Sequence, residues 1–131
     1  MVGDTVGDFI IQLKNAGMVG KKNVSLPYSK LKHAIADKLV KEGYIIEARK
    51  EGKKVGKTLE VALKYDTKGD HHIRGVKRVS KPGRRLYIKA TEIYPVKFGK
   101  GRMVLSTPAG ILTGEEARKQ NVGGEQLFII W

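Results

Sequence analysis

Apolar residues recur at helical spacing near the start of the chain. Val6, Phe9, Ile10 and Leu13 hold the i, i+3, i+4, i+7 positions of one face, predicting a helix over Asp4–Gly17. Thr5 and Asp8 resemble a capping box with a short acid, and Gly17 suits a left-handed stop. Val24-Ser25-Leu26 alternates briefly, predicting a short strand that ends at Pro27. Ser29 is a good N-cap for a second helix. Leu31, Ala34, Ile35 and Leu39 form its expected buried face, with Lys30, Lys32, Lys38 and Lys41 off it, and Gly43 closes it. Tyr44-Ile45-Ile46 begins a strand. Glu51-Gly52-Lys53-Lys54 is a turn, and Leu59, Val61, Leu63 and Tyr65 alternate strictly on the way back.

Polar residues at Asp66–His72 mark the expected boundary between halves. Beyond it the pattern predicts short strands over Ile73–Val79, Leu86–Lys89, Met103–Ser106 and Gln126–Trp131. Ser80-Lys81-Pro82-Gly83 is a turn between the first two, and Gly99-Lys100-Gly101 is a tight basic turn. Thr113 and Glu116 have capping-box spacing and open one short helix, which Asn121, Gly123 and Gly124 stop. The expected fold is α+β. An amino-terminal α-β-α-β-β domain, residues 1–66, has helices on one face of a small sheet. It packs against a mainly β carboxyl-terminal domain, residues 67–131, with one short helix.

Charge changes the picture. The 131 residues carry 26 Lys+Arg against 13 Asp+Glu, a net charge of +13. Such an excess repels itself unless a polyanion is near. Nucleic acid is the usual polyanion and anionic lipid the second. The lipid reading wants a basic amphipathic helix with bulky apolar residues, and the two clear helical patterns are only modestly basic. No run approaches the ~20 apolar residues of a membrane span, and the opening residues lack a signal-peptide pattern. There is no cysteine, which removes disulfides and thiolate chemistry and fits the cytoplasm. Between Arg74 and Arg102 lie ten basic residues and one acid, Glu92. Six of the seven arginines follow residue 73, and arginine grips phosphate bidentately, so the second half is the expected nucleic-acid face.

Catalytic groupings are weak. His33, His71 and His72 do not supply the three or four convergent ligands of a zinc site. Glu115 and Glu116 are helix neighbours that complement its positive end. Gly99-Lys100-Gly101-Arg102 lacks nucleotide-loop spacing, and Ser106-Thr107 lies in no nucleophile motif. The expectation is a non-enzyme with no cofactor, no metal and no small-molecule substrate. A basic ribonuclease using the histidines and a non-specific DNA- or RNA-binding protein are the alternatives.

Two segments suit RNA. Ser106-Thr107-Pro108-Ala109-Gly110 and Asn121-Val122-Gly123-Gly124-Glu125 combine small polar groups with backbone that can approach a base or sugar. Glu125 could accept from an exocyclic amino group. Read alone, both are ordinary loops, with Gly123-Gly124 as a helix stop.

Their order along the chain resembles a known family. Ser-Lys-Pro-Gly-Arg-Arg-Leu-Tyr at 80–87, then Ser106-Thr107, Gly110-Ile111-Leu112-Thr113, Glu116-Ala117-Arg118 and Gly123-Gly124-Glu125 look like bacterial-type small-subunit ribosomal protein eight. Asp4, Asp8, Lys14-Asn15-Ala16, Pro27, Ser29-Lys30, Lys32 and Glu42-Gly43-Tyr44-Ile45 agree with it. The resemblance implies direct binding to the central domain of small-subunit ribosomal RNA, early in assembly, and repression of its own messenger RNA in some bacteria. It implies ribosomal proteins five and twelve as neighbours. Ser106 and Thr107 would line the RNA loop, with Gly123, Gly124 and Glu125 as the facing edge. Lys30, Lys81, Arg85 and Tyr87 would contact phosphate or sugar. The family loop usually reads Ser-Thr-Ser. Pro108 in the third position removes a hydroxyl and a backbone donor. Thr5 stands where the family usually has proline, and Lys100 and Arg102 where apolar residues are common.

Overall fold

A computed structural model describes residues 4–52, 56–94 and 101–131. By internal contacts the chain forms two compact units. One is Phe9–Arg74; the other joins Gly75–Trp131 to the start of the chain through Asp8. The division of contacts therefore falls at Arg74/Gly75, beyond the polar loop Asp66–His72, and it runs through the first helix.

That helix, α1, spans Thr5–Met18, with Val6, Phe9, Ile10 and Leu13 all buried. Its cap is Asp4, not Thr5. The Asp4 carboxylate accepts the Gly7 N–H at 3.0 Å, and the Asp4 carbonyl accepts from Asp8. Nor does Gly17 stop it. Gly17 lies within the helix, where a Cβ would sit 1.7 Å from Nδ1 of His71. The left-handed glycine comes later, at Gly20 (φ +79°).

In the unit Phe9–Arg74, β1 (Asn23–Pro27), β2 (Ile45–Glu51) and β3 (Thr58–Leu63) form an antiparallel sheet in the order β1-β3-β2. Leu59, Val61 and Leu63 are buried at alternate positions of β3, as the pattern predicts. Helix α2, Lys30–Lys41, packs on β2 and is capped by Ser29, whose hydroxyl accepts the Lys32 N–H at 3.1 Å. Its buried face is Ile35, Ala36, Leu39 and Lys38. Leu31 and Ala34, expected inside, are exposed, and Lys38, expected outside, is buried. The helix is turned from the assumed register, because Ala36 and the Lys38 stem fill positions that hydropathy alone gives to larger apolar groups. Gly43 (φ +84°) closes it as predicted.

In the other unit, β4 (Val76–Arg78), β5 (Tyr87–Ile88), β6 (Arg102–Thr107), β7 (Gly110–Thr113) and β8 (Gly124–Ile130) form one antiparallel sheet. Strand β8 is central, with β6 along one edge and β4 and β5 along the other. The hairpin β6–β7 and a short 3-10 turn, Ala90–Glu92, are absent from the sequence expectation. A four-residue strand whose buried residues are Leu112 and Thr113 is too short for a period to register. Helix α3, Gly114–Gln120, packs on β6 and β7. Thr113 and Glu116 form the predicted reciprocal capping box, and Asn121 (φ 56°) ends the helix in the left-handed region. Ala117 of α3 joins Ile88, Ile93, Met103, Leu105 and Leu112 in a buried apolar cluster. The turns expected at Lys53-Lys54 and Gly99-Lys100 lie outside the described residues.

Candidate nucleic-acid interface

The register of the larger sheet sets the geometry. Glu125 on β8 stands opposite Tyr87 on β5 and opposite Ser106 on β6. Directly opposed residues in an antiparallel sheet point to the same face, so Tyr87, Glu125 and Ser106 form a row across three strands. The neighbouring pair, Ile88 opposite Gly124, lies one residue out of step, and Ile88 enters the core. The Tyr87 side is open: that residue is 71% exposed, which leaves an aromatic ring available for stacking.

The two glycines hold the row together. A Cβ on Gly124 would lie 2.3 Å from the Ser106 carbonyl oxygen, and one on Gly123 would lie 2.4 Å from that of Ile88. Both positions require glycine for close approach of backbone to backbone, within this unit. Sequence reading gave the same glycines to contact with RNA; the packing gives each a prior structural duty.

Glu125 is held from two sides. Its Oε2 accepts from the Ser80 hydroxyl at 2.5 Å and from Nη1 of Arg85 at 3.2 Å. Ser80 is fully buried, whereas the Arg85 side chain is 47% exposed. In the sequence Ser80 is only the first residue of a turn. Its one distinguishing signal there is a hydroxyl directly before Lys-Pro-Gly, which does not foretell burial.

Thr107 ends β6. Its hydroxyl donates to the Gly110 carbonyl at 2.8 Å and accepts from the Ala109 N–H at 3.1 Å. These bonds close the turn that contains Pro108, so the Thr107 proton is already committed. Ser106, half-buried beside Glu125, has no such commitment in the turn.

Within this unit Lys77, Lys81, Arg84, Arg85 and Lys89 are all exposed, the last four flanking Tyr87 along the chain. Lys81 and Arg84 exchange backbone bonds of 3.0 and 2.9 Å around Pro82-Gly83, which puts both in a tight turn. Arg78 is the exception. Its guanidinium Nε reaches both Asp4 oxygens, at 2.9 and 3.1 Å, and Nη1 bonds the Leu127 carbonyl. Burial pushes the Asp4 carboxyl up, but hydrogen bonds from Arg78 and Gly7, with the Arg78 charge, outweigh it and hold Asp4 below its ordinary value. Lys30 belongs to the unit Phe9–Arg74, exposed in the first turn of α2, and is not among the residues this sheet gathers.

Among the described residues, no three His, Asp or Glu side chains cluster as metal ligands. His33 sits 3.6 Å from Asp37, one helical turn on, and edge-on to Tyr28. His71 packs against α1 and tilts over Tyr65, and its buried ring nitrogens meet no well-formed hydrogen bond. No helix among these residues is long and apolar enough to cross a membrane.

A family model described as ribosomal protein S8 matches residues 4–131. The chain belongs to the ribosomal protein S8 family. The match takes in both contact units, so the resemblance read from the motifs extends over the whole described structure. Small ribosomal subunit protein uS8 of Nocardia farcinica is 46% identical over 128 residues, covering 98% of this chain and 97% of that one. The proteins of that name from Kocuria rhizophila and Rhodococcus erythropolis are 45% identical with the same coverage. The α+β architecture, with its antiparallel sheets, is the one that the family resemblance implies.

Proposed function

We propose that this chain is a non-catalytic structural constituent of the small ribosomal subunit. It binds directly to the central domain of small-subunit ribosomal RNA and helps assemble it, in the cytoplasm. Membership of a ribosomal protein family and the printed names of the relatives support the ribosomal part. The single observation that carries the RNA part is the row Tyr87–Glu125–Ser106 on a basic sheet edge. An exposed ring can stack on an unpaired base, a serine hydroxyl can bond a base edge or a 2′-hydroxyl, and the arginines and lysines attract phosphate.

In this reading the RNA-binding domain is residues 67–131, and residues 1–66 are the amino-terminal α/β domain. Ser106 and Thr107 line the RNA loop, with Gly123, Gly124 and Glu125 facing them. Lys30, Lys81, Arg85 and Tyr87 contact phosphate or sugar. Ribosomal proteins five and twelve are its neighbours, and it represses translation of its own messenger RNA.

Ser106→Ala tests the site. One lost hydrogen bond is worth about 0.5–1.5 kcal/mol, roughly a two- to tenfold loss of affinity. That loss is expected on the native central-domain fragment and not on a scrambled helix of equal length. Equal loss on both RNAs would remove the case for a specific site.

A further inference from the structure

We infer that Ser80 is a positioning residue for the RNA interface, acting through Glu125. The inference rests on the RNA-binding reading above. Ser80 is fully buried, so it touches no RNA itself. Its hydroxyl has one proton, and that proton goes to Oε2 of Glu125 at 2.5 Å. The Ser80 hydroxyl oxygen in turn accepts the Leu86 N–H at 3.1 Å. The Ser80 N–H donates to the Gln126 carbonyl at 2.9 Å, and the Gln126 N–H donates to the Leu86 carbonyl at 2.9 Å. A closed circuit therefore ties the end of the β4 segment, the start of β5 and the front of β8 to one carboxylate.

The circuit fixes a carboxylate on a phosphate-seeking surface, where it repels phosphate unless a positive charge offsets it. Arg85 supplies the offsetting charge, but it is about half exposed and its long side chain can leave for a phosphate. Ser80 cannot leave. It holds Oε2 in place, on a residue that stands in register with Tyr87 and Ser106.

The test is a double-mutant cycle on the full chain: wild type, Ser80→Ala, Glu125→Ala and the pair. The readout is the ratio of affinities for the native central-domain fragment and the scrambled helix. A fraction of unfolded protein lowers both affinities alike and leaves this ratio unmoved. Ser80→Cys, which keeps a weaker donor, runs in parallel and takes the place of Ser80→Ala should that variant fail to fold. The expectation is that Glu125→Ala and Ser80→Ala each lower the ratio, the latter roughly tenfold, since a bond to a charged group is involved. Ser80→Cys falls between, and Ser80→Ala adds nothing in the Glu125→Ala background. If Ser80→Ala lowers the ratio as much with Glu125 absent as with it present, the inference is overturned while the site stands. If Glu125→Ala leaves the ratio unchanged, the site and the inference fall together.

Discussion

Gly124 of β8 runs so close to β6 that a Cβ on it would lie 2.3 Å from the Ser106 carbonyl oxygen. The obstacle is backbone, which cannot swing aside as a side chain would. Gly124→Ala is therefore expected to strain the β6–β8 pairing and cost roughly 1–3 kcal/mol, the usual range for overpacking. Urea denaturation reads the cost directly. A shift below about 0.5 kcal/mol, the level of an ordinary surface change, would show that the strands separate easily here. Given the expected strain, loss of RNA binding in Gly124→Val is no proof that Gly124 touches RNA.

The Asp4–Arg78 pair predicts a second effect. Asp4 both caps α1 and accepts two bonds from a largely buried guanidinium. Asp4→Ala removes the cap, worth about 0.5–2 kcal/mol, and leaves Arg78 short of its partner as well. Because the folded carboxyl lies below the ordinary value of 3.8, its contribution is complete above that pH and fades as pH falls through the folded value. Acid unfolding monitored by circular dichroism should begin at higher pH in Asp4→Ala. Superimposable acid transitions would contradict the assignment.

His71 gives a dependence nearer neutrality. Burial depresses its folded value, electrostatic interaction with the neighbouring His72 depresses it further, and the Ile73 backbone offsets this only in part. The unfolded chain takes up a proton near 6.5, whereas the folded chain resists it. Stability linked to His71 is thus present above about 6.5 and declines as pH falls from there to the folded value. Melting temperatures between pH 7.5 and 5 should fall more steeply in the wild type than in His71→Phe. Parallel slopes would place the pH dependence elsewhere.

Lys81 lies exposed in the Pro82-Gly83 turn, where no acidic side chain among the described residues pairs with it. Lys81→Ala is expected to weaken native and scrambled RNA alike and to lower the slope of log affinity against log salt by about one unit or less. An unchanged slope would remove Lys81 from the phosphate contacts.

Much of this architecture is legible in the sequence where one period dominates. The β3 alternation at Leu59, Val61 and Leu63, the Ser29 and Thr113 caps and the Gly43 stop all follow from local rules. The misreadings have a common cause. Ala36 and the Lys38 stem are buried by tertiary context, which hydropathy does not carry, so the face of α2 came out rotated. Gly17 looks like a stop but makes room for the His71 ring, more than fifty residues away in sequence. At the interface the motif residues could be named, but not their register. That Tyr87, Glu125 and Ser106 share a row depends on two strand pairings, and that Ser80 is buried against Glu125 depends on tertiary packing.

In the proposed function a built site, and not net charge alone, binds RNA. The most direct measurement is the affinity of the purified chain for its own central-domain fragment and for a scrambled helix of equal length, across a salt series. Counterion release weakens both as salt rises. A preference for the native fragment is expected to persist at high salt, where the charge contribution has faded. If the two affinities fall together with no preference at any salt, the +13 charge is all that binds, and the site described on β5, β6 and β8 is not an RNA-recognition surface.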